Sequence, residues 1–121
     1  MSKPGFKEWA ILQRTHDGTG RWRLVKELEY HSDDGGVIIV PRGFLTDLAS
    51  TPRILWPVFP PYDTYASAAV MHDHLYNIKD RPRKKCDRLF LEAMSHSNVP
   101  IWKRYLIYWA VRLFGGSHYK T

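Results

Sequence analysis

The chain has 121 residues and a formal net charge of +6, from 18 Lys+Arg against 12 Asp+Glu. This length fits one domain, so we expect residues 1–121 to fold as a single unit. Hydrophobic residues make up 44% of the chain, which argues against disorder, and the positive charge favours an anionic partner. Cys86 is the only cysteine, so the fold needs no intrachain disulfide.

The first 45 residues or so are predicted to form an antiparallel β-meander. Apolar residues alternate with others over residues 9–13 and 22–30, which is the period of a strand, and residues 37–40 form a short apolar run. Turn-forming residues at 16–20 and 32–36 separate these segments. A segment with five prolines follows at residues 41–61, and we expect an ordered loop there because such dense prolines exclude a long helix.

The remainder is predicted to contain three helices. Asp63 or Thr64 would cap the first, which runs to about residue 77. The second begins near Pro82 and runs to about residue 95, and the third is opened by Pro100 and stopped by the glycine pair at 115–116. Strands followed by helices indicate the α+β class. The short connection at residues 78–81 makes the first two helices antiparallel neighbours.

A candidate site lies on this helix pair. Residues four apart share a helix face, so His72 lies over Tyr76, whereas Asp73 is rotated by about 100° and His74 is expected to face water. Asp87 of the second helix lies at nearly the same level as His72 and can reach its ring. A carboxylate bonded to one ring nitrogen fixes the tautomer and raises the basicity of the other, as a general base requires.

Two short motifs carry a resemblance. The segment HDHLY at residues 72–76, followed by CDR at residues 86–88, resembles the core of the phospholipases of the A2 class. In that class a metal ion polarises the ester carbonyl that water attacks. The roles that the resemblance implies are His72 as general base, Asp87 as its orienter, Tyr76 as hydrogen-bonding support and Asp73 as metal ligand.

A second resemblance covers more of the chain. The patterns are FxTDLASxP at residues 44–52, AAxxHDxLY at 68–76, DxxFxxAM at 87–94 and AVRxFG at 110–115. Together they resemble a family of small phage and prophage proteins known as domain of unknown function 1353. This resemblance implies a viral or prophage origin and no established activity. It adds to the site Asp47 as a possible second metal ligand, with Thr46 and Ser50 as supporting residues.

One histidine with two or three carboxylates suits a hard divalent cation such as Ca²⁺, Mg²⁺ or Mn²⁺ better than zinc. Each of these residues could also have a purely structural role. Asp47 could cap a short turn, Asp87 could interact with the helix dipole, and His72 could be a buried structural residue. Arg112, inside an apolar helix, either extends to the surface or pairs with a buried carboxylate.

Basic residues crowd the start of the second helix, where the helix dipole disfavours cations. Arg83, Lys84 and Lys85 are therefore candidates for binding an anion such as a lipid head group, a phosphate or an acidic protein. A solvated face is the alternative. No nucleic-acid-binding motif accompanies these residues.

Two functions follow as hypotheses. The first is a small phage-derived hydrolase with a His-Asp site, which a metal could assist and which would cleave lipid esters or amide bonds of cell-wall material. The second is a non-enzymatic virion or assembly accessory protein, or an inhibitor of a host system, in which the same residues form a structural network. The start of the chain lacks a signal peptide and no segment reaches the ~18 apolar residues of a membrane span, so we expect residence in the host bacterial cytoplasm or the phage virion.

Overall fold

A computed structural model describes residues 4–46 and 66–116. These residues form six antiparallel strands in two sheets, followed by three helices, which confirms the predicted α+β class. The elements in chain order are β1 Gly5–Phe6, β2 Leu12–Arg14, β3 Trp22–Leu24, β4 Leu28–His31, β5 Val37–Val40, β6 Leu45–Thr46, α1 Ala66–Ile78, α2 Arg83–His96 and α3 Ile101–Phe114.

The strands are distributed over two three-stranded sheets, with orders β1-β4-β5 and β2-β3-β6. The segment predicted as one strand over residues 22–30 is two strands, β3 and β4, and each belongs to a different sheet. The pairing of β3 with β2 ends at Val25, whose amide donates a hydrogen bond to the Ile11 carbonyl oxygen. Lys26 then forms a salt bridge with Glu8 at the surface. Leu24 is nevertheless buried on the core side, as the alternating pattern predicted.

The turn predicted at residues 32–36 joins β4 to β5. The Gly35 amide donates a hydrogen bond to the Ser32 carbonyl oxygen, and the Ser32 amide donates one to the Gly36 carbonyl oxygen. These two hydrogen bonds close the hairpin. Its register places Tyr30 opposite Ile38, and both side chains are buried. This sheet therefore presents one apolar face to the helices.

The helices stack so that α2 contacts both α1 and α3. Ala68 and Ala69 of α1 are fully buried, and their small side chains let a neighbouring element approach closely. Lys79 adopts a left-handed conformation (φ 51°) just after α1, and the chain then turns back into α2. Helix α2 begins after Pro82 and α3 after Pro100, close to the predicted positions. The predicted caps Asp63 and Thr64 lie outside the described residues, as does most of the proline-rich segment.

Two further properties of the helices bear on function. Cys86 of α2 is fully buried, and this burial raises the pKa of its thiol to about 11. Within residues 4–46 and 66–116, no helix has the length and apolar character that crossing a bilayer requires.

Candidate active site

His72 and Asp87 are hydrogen-bonded to each other across the α1–α2 pair. His72 Nε2 lies 2.6 Å from Asp87 Oδ1, and both side chains are buried. The contact predicted from helix geometry is therefore confirmed. It forms because the two residues stand at similar distances from the short connection that joins the antiparallel helices.

The Asp87 carboxylate receives hydrogen bonds from both of the other helices. The Tyr76 hydroxyl of α1 donates to Oδ1, and Arg112 Nη1 of α3 donates to Oδ2 over 2.7 Å. Burial alone would raise the pKa of Asp87, but the hydrogen bonds from His72, Tyr76 and Arg112 outweigh it and lower the pKa. Asp87 is thus an anion held in the core. Of the two roles considered for Arg112, pairing with a buried carboxylate is the one that the structure shows.

The His72 ring is enclosed by aromatic rings. The Phe90 ring stacks on it with a centroid distance of 4.5 Å, and the Tyr76 ring lies tilted against it at 4.2 Å. The side chain is only 2% exposed. Asp87 therefore orients the ring through Nε2.

Arg83, one of the residues predicted to bind an anion, has its side chain directed toward α3. Its Nη2 donates to the carbonyl oxygens of Val111 and Arg112 over 2.7 Å each, and its Nε donates to the Tyr76 hydroxyl over 3.2 Å. Its Nε also lies 3.9 Å from Asp87 Oδ2. Arg83 therefore links the C-terminal end of α3 to Tyr76 and Asp87. Its position one turn before Asp87 on the same helix face signals its proximity to Asp87, but the contacts with the α3 carbonyls have no sequence signal.

Lys84 and Lys85 are exposed beside the β4–β5 turn. They line a cavity of about 410 Å³ together with Arg88, and the carboxylates of Asp34 and Glu92 line it as well. The cavity thus carries both signs of charge. Anion binding by these two lysines stays a prediction.

Asp73 links α1 to the second sheet. Thr46 Oγ1 of β6 donates to Asp73 Oδ2 over 2.5 Å, and the Asn77 side-chain amide donates to the Asp73 carbonyl oxygen over 2.8 Å. Asp47 and Ser50, the other predicted site residues of this region, lie outside the described residues. A calcium ion takes about six to eight oxygen ligands. The described surroundings of Asp73 supply one carboxylate, so they do not by themselves make a calcium site.

His74 was expected to face water, and this prediction is wrong. The side chain is buried, and the Phe44 ring lies edge-on to the imidazole at a centroid distance of 5.4 Å. Burial lowers the pKa of His74. Phe44 lies just before β6 and packs on the face of α1 that carries His74. The helical period of α1 alone does not show that another segment packs on this face.

A separate group of potential ligands was not predicted. Asp33, Glu92 and His96 each offer a ligand atom, and these atoms lie within 4.8 Å of one another. His96 Nε2 is 2.8 Å from Asp33 Oδ1, and the Tyr30 hydroxyl donates to Glu92. Glu92 and His96 are one helical turn apart, which is a visible signal, but the approach of Asp33 depends on how the β4–β5 turn meets α2.

Comparison with known proteins places these features in a family. The family model for proteins of unknown function designated DUF1353 matches residues 22–111. The chain belongs to the DUF1353 family. The match contains His72, Tyr76 and Asp87, and Arg112 follows it directly. The family assignment thus covers both helices of the pair.

A relative extends the comparison. The uncharacterized protein y4jT of Sinorhizobium fredii (strain NBRC 101917 / NGR234) is 31% identical over 96 residues, which are 78% of this chain and 29% of that protein. The chain therefore spans less than a third of this relative's length. No solved structure matches the chain.

Proposed function

We propose that this chain is a small hydrolase of phage or prophage origin, with His72 as its general base. The observation that carries the proposal is the 2.6 Å contact between His72 Nε2 and Asp87 Oδ1. An anionic carboxylate at this position keeps the proton on Nε2 and the lone pair on Nδ1. Tyr76 and Arg112 hold the carboxylate in place, so the ring is oriented before any substrate binds.

In the reaction, His72 Nδ1 takes a proton from a water molecule while the water oxygen attacks the carbonyl carbon of an ester. Asp87 stabilises the imidazolium that forms. The ring then returns the proton to the leaving oxygen as the carbon–oxygen bond breaks, which releases an acid and an alcohol. An anionic phospholipid is the most concrete substrate, and an amide bond of cell-wall material is the next.

Access to the ring sets a condition on this mechanism. Since the His72 side chain is 2% exposed, water and the substrate carbonyl can reach Nδ1 only if the residues that cover the ring move aside. A movement of these residues has to provide that access, as the opening of mobile segments does in many enzymes. Lys84 and Lys85 would attract an anionic substrate toward the start of α2.

The same burial favours a second candidate function. An imidazole stacked on Phe90 and bonded to Asp87 is also a good structural element, because buried polar groups that are hydrogen-bonded stabilise a core. In this case the protein is a phage virion or assembly accessory protein, or an inhibitor of a host system. His72, Tyr76, Asp87 and Arg112 would then stabilise the three-helix arrangement without chemistry.

One experiment separates the two candidates. Acid release is measured from vesicles of phosphatidylglycerol and from a short-chain ester, and amide cleavage from a cell-wall peptide, with the wild type and His72→Gln. Glutamine can still donate to Asp87, so the fold is retained, but it cannot accept a proton. The matched control is His16→Gln, which changes an exposed histidine.

If the hydrolase proposal is correct, His72→Gln lowers the rate by roughly a hundredfold or more and His16→Gln leaves it unchanged. Equal rates for His72→Gln and the wild type would contradict the proposal. An inactive wild type on all three substrates would also contradict the proposal, and a lower unfolding midpoint for His72→Ala than for His16→Ala would then support the structural candidate.

A further inference from the structure

Helix α3 is apolar on two opposite faces. Ile107 and Val111 are buried within the protein on one of them. On the other face, large apolar residues recur at helical spacing. This second set, called here the α3 stripe, consists of Trp102, Tyr105, Leu106, Trp109 and Leu113.

The α3 stripe is well exposed. More than half of the surface of Trp102, Trp109 and Leu113 is accessible, and Tyr105 and Leu106 are nearly half accessible. With side chains of this size, the exposed apolar area is about 500 Å², which matches the largest apolar patches of typical monomers. Patches of this size are often functional. An amphipathic surface helix would carry polar residues here, so the apolar stripe needs an explanation beyond folding.

The charge of the chain and the composition of the α3 stripe favour a membrane over a second copy of the protein. Two copies with a net charge of +6 each would repel one another, whereas an anionic bilayer attracts that charge. Trp and Tyr accompanied by Leu is the composition that enters the boundary between head groups and acyl chains.

We propose that the α3 stripe docks on the surface of an anionic lipid bilayer, with α3 lying in the plane of the interface. The helix has 14 residues and is about 21 Å long, so it inserts one face rather than crossing the bilayer. The net positive charge draws the chain to the surface, and the aromatic and leucine side chains anchor it. This proposal stands whether or not His72 is a catalytic base.

The test measures binding of the whole chain to vesicles of phosphatidylcholine, with and without phosphatidylglycerol, by co-sedimentation and by the blue shift of tryptophan emission. The variant is Trp109→Ser combined with Leu113→Ser. The matched control is Trp9→Ser, because Trp9 is 60% exposed and Trp109 58%, but Trp9 lies outside α3. Circular dichroism melts confirm that each variant is folded.

We expect wild type and Trp9→Ser to bind phosphatidylglycerol vesicles with similar partition coefficients and to bind pure phosphatidylcholine more weakly. The double variant should bind roughly tenfold more weakly. Failure of the wild type to bind, equal binding to both vesicle types, or full binding by the double variant would each overturn the proposal. A wild-type dimer that the double variant abolishes, without vesicle binding, would assign the α3 stripe to a second copy.

Discussion

Arg112 Nη1 lies 2.7 Å from Asp87 Oδ2, and this contact joins the last helix to the centre of the α1–α2 pair. The carboxylate is fully buried, so its charge depends on the guanidinium and on the donors from α1. The hydrogen bond with Asp87 also raises the pKa of Arg112. The two residues therefore form a charged pair in which the carboxylate is buried and the guanidinium is partly exposed.

Removing one member of this pair is expected to destabilise the protein strongly. Arg112→Leu should lower the free energy of unfolding by about 1.5–3 kcal/mol, because it removes a hydrogen bond to the buried Asp87 carboxylate and leaves Arg83, at 3.9 Å, as the guanidinium beside it. Combining it with Asp87→Asn should recover part of the loss. Urea denaturation measures both, and Arg88→Leu, on the exposed side of α2, serves as control with a change below about 0.5 kcal/mol. Wild-type stability in Arg112→Leu would show that the pair is not needed.

The Tyr76 hydroxyl should contribute measurably to stability. Tyr76→Phe removes a hydrogen bond to the charged Asp87 carboxylate and is expected to cost about 1.5–3 kcal/mol. Tyr105→Phe removes the same atom from an exposed ring of α3 and should have almost no effect. Chemical denaturation of the two variants gives the comparison, and equal stabilities would argue against a buried network at Tyr76.

Two adjacent glycines after α3 should differ sharply in their tolerance of alanine. At Gly115 a Cβ atom would lie 2.6 Å from the Val111 carbonyl oxygen and 3.2 Å from the Tyr76 hydroxyl. At Gly116 the nearest atom, on the Arg83 side chain, is at an ordinary 3.6 Å. Gly115→Ala is thus expected to cost about 1–3 kcal/mol, and Gly116→Ala much less. Thermal melts of both variants test this, and similar melting temperatures would contradict the close approach at Gly115.

His74 should make the stability fall as the solution becomes mildly acidic. Burial lowers its pKa below the ordinary value of 6.5, so the unfolded chain binds a proton more readily than the folded chain. The contribution of neutral His74 is complete above about pH 6.5 and is lost as the pH falls below it. Urea midpoints between about pH 7.5 and 5.5 should decline less in His74→Leu than in the wild type. An identical decline in both would remove His74 as the cause.

The helical part of the fold could be predicted because local residues mark its ends. Pro82 and Pro100 stand just before α2 and α3, and Gly115 follows α3. The His72–Asp87 contact was predictable for the same reason, since two regular helices joined by a short connection have a fixed register. Neither inference needed information from distant parts of the chain.

The features that could not be predicted depend on contacts between distant segments. The alternating pattern continues across the break between β3 and β4, so the sequence of residues 22–30 predicts one strand. The two strands differ only in the sheet to which each one pairs. The sequence shows that Arg83 is charged but not that it turns toward the carbonyls of α3. Likewise, the His74 ring is covered by Phe44, which lies just before β6 and far from α1 in the sequence.

The buried thiol of Cys86 can be used to measure how often the surrounding part of α2 becomes exposed to solvent. A thiol with a pKa of about 11 is almost entirely protonated near neutral pH, and alkylating reagents react with the thiolate. Modification of the folded chain must therefore await exposure of this part of α2. The labelling rate in the native protein reports how often this part of α2 becomes exposed, and comparing that rate with and without lipid vesicles would reveal whether docking loosens α2 beside Asp87.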